Sequence, residues 1–258
     1  MGYWQDRLQR AQNAISEKTQ KQIDKQMRKY YRQAAEQFIA DFEATYNKIL
    51  AAQVAGKSVT PADLYKLDKY WQSQAQLKQV LQELGDKEIK LLSEAFERDW
   101  FEVYYSINLN NVTPAYNTTD VSIVRQLINQ IWVADGKTWS ERIWGNVANL
   151  ADTLNEQLVH CVATGKKTSD LKKLLQDRFN VSYSNADMIT RTELAHIQTQ
   201  AAEQRYSDYG IEFVEVWADE DERRCDICGE LHQKKYPIGA KIPIPAHPRC
   251  RCCIVPVV

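Results

Sequence analysis

Five of the six cysteines of the chain lie in one stretch near the C-terminus, CDICGELHQKKYPIGAKIPIPAHPRCRCC. Cys225 and Cys228 form a C-x2-C pair, which lets two thiolates converge on one ion. His247 and Cys250 form an H-x2-C pair, and Cys252 follows two residues later. Two such pairs of sulfur and imidazole ligands are typical of a tetrahedral structural zinc site. The spacing therefore predicts that this segment binds Zn2+.

A tetrahedral site takes four ligands, and the stretch offers more than four. Cys225 and Cys228 are the firmest pair, and His247 with Cys250 is the first choice for the second. Cys252 is the substitute, because alternation along an extended chain puts it on the same side as Cys250. The surplus of ligands favours a closed structural site over a catalytic one, which would keep a position open for water. His232 is expected to be a surface residue.

Two other uses of the thiols stay open. Redox chemistry would need the C-x-x-C pair alone, in a thioredoxin-like setting that the sequence does not show. Reduced thiols packed in a core would explain Cys161, which lies in an apolar helix, and extend to Cys253. Disulfides are disfavoured, because the polar N-terminus has no signal peptide and the protein is expected to fold in the cytoplasm.

Composition excludes several classes of protein. With 258 residues, 44% hydrophobic and 26% charged, the chain is typical of one or two globular domains. A formal net charge of -1 gives no overall field for nucleic acid or membrane. No apolar run approaches the ~20 residues of a membrane helix. Hydrolase, P-loop, zinc-protease and deaminase motifs are absent, so we expect no enzyme and no catalytic residue.

The elements that position the cysteines are predicted to be mainly helical. Apolar residues three or four apart predict one helix over residues 1 to about 50. Thr60-Pro61 is a helix-start signal for helices over 61–84 and 86–106, separated near Gly85. Later helices are predicted over about 120–134, 138–164, 169–179 and 185–209. The β-rich runs 211–217 and 252–258 predict two strands that flank the cysteines.

The fold class is therefore α+β: mostly helical, with long N-terminal helices and a small C-terminal β-containing domain stapled by zinc. The Asn- and Thr-rich run 108–120 is predicted to be a linker. It would divide an N-terminal helical region, 1–107, from a C-terminal domain, 121–258. We expect the N-terminal region to contact a partner protein, because its first helix is long and amphipathic.

Two groups of basic residues could contact nucleic acid. Five cations surround the cysteines and form a local basic patch: Lys234, Lys235, Lys241, Arg249 and Arg251. In the first helix, up to Glu36, eight Lys and Arg residues stand against four acids. A solvated helix face is the ordinary explanation of that excess, and contact with DNA phosphates is the alternative.

The order of motifs resembles the Mu-F-type minor head proteins of tailed bacteriophages, the phage head morphogenesis family. The motifs are WSERIWGN at 139–146, ITRTELAHIQTQAAEQRYSDYG at 189–210, Trp217, the C-x2-C turn and AHPRCRC at 246–252. The similar span is about 118–256. The final block is the specific part. One departure from the family is Lys234-Lys235, near the position where many relatives carry a Gly after the short CGELH turn.

The resemblance implies a structural, low-copy virion protein without catalytic activity. Relatives are incorporated in the procapsid near the portal vertex, and some bind DNA or leave with it on ejection. The implied partners are the portal protein, the major capsid or scaffold protein and packaged double-stranded DNA, without a membrane. The implied location is the interior of the phage head, with host cytoplasm during assembly. The family's helix motif falls on Arg191, Thr192 and Glu193, for which a structural role is expected. The alternative function is a zinc-knuckle nucleic-acid-binding protein.

Overall fold

The computed structural model describes residues 3–55, 68–109, 120–218 and 224–257. Within these ranges the helices are α1 Tyr3–Val54, α2 Asp68–Ser106, α3 Val121–Ile128, α4 Trp139–Thr164, α5 Thr168–Asp208 and α6 Asp226–Leu231. The strands are β1 Phe213–Trp217, β2 Lys235–Pro237 and β3 Cys253–Pro256. The predicted α+β class is confirmed: long helices come first and a small sheet lies at the C-terminal end. No helix in the described ranges is long and apolar enough to cross a membrane.

The sheet is antiparallel in the order β2-β1-β3. Val214 of β1 stands between Tyr236 of β2 and Pro256 of β3. The two strands predicted from sequence are confirmed. Because β1 and β3 pair directly, the two ends of the cysteine-bearing segment between them lie close together. The third strand, β2, and the short helix α6 were not predicted, because both lie in a stretch read as loop.

The long helices run through two positions where breaks were predicted. Gly85 lies inside α2, and the predicted separation there is wrong. A Cβ at Gly85 would lie 2.3 Å from Cζ3 of Trp144, so the glycine makes room for a neighbouring indole rather than ending the helix. Helix α5 is likewise continuous where a break between 179 and 185 was predicted. Its buried residues Phe179, Ser182 and Ala186 keep the spacing of one helix face through that point.

Helix α3 is shorter than predicted, since it ends at Ile128 instead of about 134. Two tryptophan side chains form hydrogen bonds that fix the segment after α3. Trp139 Nε1 donates to Asn129 Oδ1 at 3.1 Å, and Trp132 Nε1 donates to Glu193 Oε2 at 2.8 Å. The predicted helix start at Thr60-Pro61 and residues 110–119 of the predicted linker lie outside the described residues.

The chain forms two compact units. Unit 1 comprises Met1–Asp24, Leu91–Trp139 and Asp187–Val258, and unit 2 comprises Lys25–Lys90 and Ser140–Ala186. Unit 1 buries Trp100 and Leu194 together with the sheet residues Val216 and Ile254. The Ile254 carbonyl accepts hydrogen bonds from Gln12 and Tyr206, which fastens β3 to helices α1 and α5.

Unit 2 has an aromatic and aliphatic core. Phe38 contacts Phe42 and Phe179, with ring centroids 6.1 and 6.5 Å apart. Tyr31 adds a buried polar group, and its hydroxyl accepts a hydrogen bond from Asn146 Nδ2 at 3.2 Å. Asn146 also donates to the Ser182 carbonyl at 2.8 Å. Apolar burial and the hydrogen bonds of Tyr31 and Asn146 therefore help to hold this unit together.

Candidate metal centre

The C-x2-C pair is positioned by the start of a short helix. Cys225 is the N-cap residue of α6, and its Sγ accepts a hydrogen bond from the Cys228 backbone N–H at 3.4 Å. Capping of this kind satisfies a backbone donor that the first helical turn leaves open. The same bond lowers the pKa of the Cys225 thiol. The turn brings both sulfurs to one side of the chain.

His247 faces this pair. Its Nε2 lies 3.3 Å from Cys225 Sγ and 3.1 Å from Cys228 Sγ. Its Nδ1 lies 2.9 Å from the carbonyl oxygen of Pro248. Donation from Nδ1 to that carbonyl leaves the Nε2 lone pair directed at the sulfurs, which is the tautomer of a metal-ligating histidine.

Cys250 and Cys252 complete the cluster. Cys250 Sγ lies 3.7 Å from Cys228 Sγ. Ligand atoms form two groups that share Cys228: Cys225, Cys228 and His247 in one, Cys228, Cys250 and Cys252 in the other. Within each group the atoms lie within 4.8 Å of one another. The edge of a tetrahedron with Zn–S bonds of about 2.3 Å is roughly 3.7 Å, so the spacing within each group is compatible with three ligands of one zinc ion.

The thiols differ in acidity. Burial raises the pKa of Cys228 to about 12. A hydrogen bond from the Cys252 thiol lowers the pKa of Cys250 to about 5, and the same interaction raises the pKa of Cys252. Thiols must lose their protons to bind a metal, so binding here would release protons and weaken at acid pH.

The segment that carries the ligands has little apolar core of its own. Among the described residues from 224 to 252, Ile244 is the one buried apolar side chain besides the cysteines. A segment of this kind gains its stability from cross-links or metal rather than from hydrophobic burial. A metal bound by the Cys/His cluster could therefore stabilise this segment.

The Arg-Thr-Glu motif of helix α5 supports the metal segment. The Arg249 backbone N–H donates to Thr192 Oγ1 at 3.1 Å, and the Arg249 guanidinium lies 3.1 Å from Asp187 Oδ2. Arg191 donates to the other oxygen of Asp187 at 2.8 Å and to Gln20 at 2.7 Å. Asp187 thus bridges two arginines, and the chain between His247 and Cys250 is fixed to the helix.

Glu193 has a different contact from its neighbours in the motif. It is buried and accepts the indole hydrogen bond of Trp132, whose ring stacks on His196 at 4.1 Å between centroids. Since Arg191 and Glu193 make separate contacts on different sides of α5, the structure does not bring them together as an acid and base.

The five predicted basic residues do not all lie at the metal cluster. Arg249 and Arg251 line a small pocket with the ligands. Lys235 opens β2, with the exposed Lys234 just before it and the exposed Lys241 in the loop that follows.

Arg224, which sequence reasoning missed, lines the same pocket as Arg249 and Arg251. Its position directly before Cys225 was the available signal. Asp187 was also missed as the partner of Arg249. His232, predicted as a surface residue, is half-buried: its Nδ1 accepts from the Ala218 backbone N–H at 3.2 Å.

These features define a class: a helical protein with a small antiparallel sheet and a closed Cys/His cluster. Residues 152–255 match the family model described as phage Mu protein F like protein. The predicted resemblance to the phage head morphogenesis family is confirmed over this segment, which covers less than half of the chain and includes every candidate ligand. No curated protein and no solved structure matches the chain significantly.

Proposed function

We propose that this protein is a minor head protein of a tailed phage, a low-copy component inside the procapsid and virion near the portal vertex. The match of residues 152–255 to the Mu-F-type family carries the proposal. The proposed partners are the portal protein and the major capsid or scaffold protein, met in the host cytoplasm during assembly. The role is structural and not catalytic, which agrees with a cluster built from ligands rather than from acid and base groups.

The ion at the cluster is Zn2+ in this proposal. Cys225, Cys228 and His247 hold it with Cys250 or Cys252 as the fourth ligand. Sulfur and imidazole donors at this spacing select zinc over the hard cations, which prefer oxygen. When bound, the ion supplies a cross-link between α6 and the chain before β3 and no reaction chemistry.

The alternative function is nucleic-acid binding through the zinc knuckle. Arg224, Arg249 and Arg251 favour it, because they line the same pocket as the ligands. Against it, Asp187 already neutralises part of the charge of Arg249. Lys234, Lys235 and Lys241 would extend the contact along the β2 side.

Co-sedimentation with procapsids and capture by purified portal protein test the head assignment. A minor head protein should sediment with procapsids at a few copies per particle and should be retained by the portal. A protein that does neither, while the same preparation is folded and holds its metal, would refute the assignment. A Cys228→Ser variant separates the two roles, since loss of sedimentation with loss of zinc would place the head contact in the metal segment.

A further inference from the structure

Unit 2 contains a groove of about 600 Å³ lined by four cations of helix α1. Lys25, Arg28, Lys29 and Arg32 are all exposed and follow one another at spacings of three and four residues. This spacing places them on one stripe of the helix. None of the described residues that line the groove is acidic. The net excess of basic residues in α1 is therefore concentrated on one face.

The opposite wall of the groove comes from helix α5. Gln176, Asn180 and Tyr183 stand there at spacings of four and three residues, and each offers neutral hydrogen-bonding groups. The Arg28 guanidinium lies over the Tyr183 ring at 4.7 Å, which fixes one cation at the rim. A cationic stripe and an amide stripe thus run along the two sides of the same groove.

The aromatic residues of the groove do not present a surface for stacking. Tyr31 and Phe179 are 3% and 1% exposed, so they form its floor and belong to the core of unit 2. The third aromatic residue, Tyr183, is half-buried, and the Arg28 guanidinium covers its ring. Recognition of single-stranded nucleic acid uses exposed aromatic rings, and docking of a protein uses exposed apolar anchors. The exposed groups here are charges and amides, which suit a regular array of phosphates.

We propose that this groove binds the phosphate backbone of double-stranded DNA without reading its sequence. The eight-residue stripe from Lys25 to Arg32 spans about 10 Å of helix. Phosphates of one DNA strand follow one another at about 3.4 Å of axis, so the stripe faces about three of them. The acidic residue next along α1, Glu36, lies 3.9 Å from Arg32 in an exposed pair that water and salt screen. The groove is separate from the metal cluster, which lies in unit 1.

Fluorescence anisotropy of the full chain with a labelled 30-base-pair duplex of arbitrary sequence tests this site. Lys25→Gln with Lys29→Gln should weaken binding between tenfold and a hundredfold at about 0.1 M salt. The slope of log affinity against log salt should become shallower by about two, near one for each lost phosphate contact. The matched control is Lys87→Gln with Lys90→Gln, two exposed lysines of α2 in the same unit, which should change neither quantity.

The proposal would be overturned by no binding of the duplex at low salt, an equal loss in the control, no loss in the groove variant, or competition by polyglutamate as effective as by DNA. The last result would assign the groove to an acidic protein. A loss confined to Lys234→Gln with Lys235→Gln would move DNA binding to the knuckle and also refute the groove. Since the duplex assay contains no head component, its failure leaves the procapsid test untouched.

Discussion

Unit 2 buries an aromatic core around Phe38, whereas the C-terminal end of unit 1 gathers five candidate metal ligands on a segment with one buried aliphatic residue. The first arrangement gains stability from hydrophobic burial, whereas the second would gain it from the proposed metal ion. The chain would then combine two kinds of stabilisation. Each should respond to a different perturbation.

Removal of metal should have the largest effect. A chelator that strips Zn2+ from the reduced protein should expose the amides of residues 224–252 to hydrogen exchange, because the segment has little other core. Peptides from unit 2 should keep their protection. The control is Cys161→Ala, whose thiol lies in unit 2 and which should still bind metal. Equal protection of 224–252 with and without chelator would contradict the comparison.

A cavity in the core of unit 2 should lower the stability of the protein without changing its zinc content. Phe38 is 1% exposed and contacts two other rings, so Phe38→Ala should lower the free energy of unfolding by about 3–5 kcal/mol. Denaturant unfolding followed by circular dichroism measures the change. Zinc content should be unaltered, and a variant that loses zinc as well would mean that the two kinds of stabilisation are not separate.

A rise in pH should lower the contribution of Glu88 to the stability of unit 2, whereas it should raise the zinc affinity of the Cys/His cluster. Burial raises the pKa of Glu88 from 4.5 to about 8, so the folded state holds a proton that the unfolded state has lost between those values. Stability from this group is present below pH 4.5 and is lost as pH rises to 8. Glu88→Gln should therefore raise the free energy of unfolding at pH 8 by a few kcal/mol. Zinc affinity should instead fall at acid pH.

The measurement for Glu88 is the difference in unfolding free energy between wild type and Glu88→Gln at pH 5 and at pH 8. Taking this difference removes the contribution of Asp99 in unit 1, whose pKa burial raises to about 6. A difference that does not grow with pH would show that Glu88 is ionised in the folded protein.

A glycine pair gives the smallest and most local test. Gly85→Ala should cost about 1–3 kcal/mol, because the new Cβ meets the Trp144 ring. Gly145→Ala, in helix α4, meets nothing within 4 Å and should stabilise the protein by about 0.5–1 kcal/mol. Thermal unfolding of both variants measures the two changes in stability. Equal effects would mean that the indole moves aside freely.

The elements that were predicted correctly have strong local signals. Each of three features can be recognised from neighbouring residues alone: the apolar periodicity of α1, the β-branched run of β1 and the C-x2-C turn. The candidate ligands lie in two groups that share Cys228, and Cys250 and Cys252 both belong to the second group.

The elements that were missed depend on partners distant in sequence. From sequence alone, Gly85 predicts a helix break. In the structure, the glycine makes room for the Trp144 indole inside a continuous helix. Strand β2 has three residues and no pattern of its own, and it forms because β1 offers an edge. Asp187 resembles the start of a helix, whereas its carboxylate in fact joins Arg191 to Arg249. Local pattern cannot report contacts of this kind.

The most direct test of the account is the metal content of freshly purified, reduced protein by native mass spectrometry, with Cys225→Ser and Cys250→Ser measured beside wild type. The account predicts about one zinc ion per chain in wild type and its loss in Cys225→Ser. Cys250→Ser should lose the ion if Cys250 is the fourth ligand, and Cys252→Ser should lose it if Cys252 is. Reduced wild-type protein without metal would contradict the account and leave the family assignment without its structural zinc.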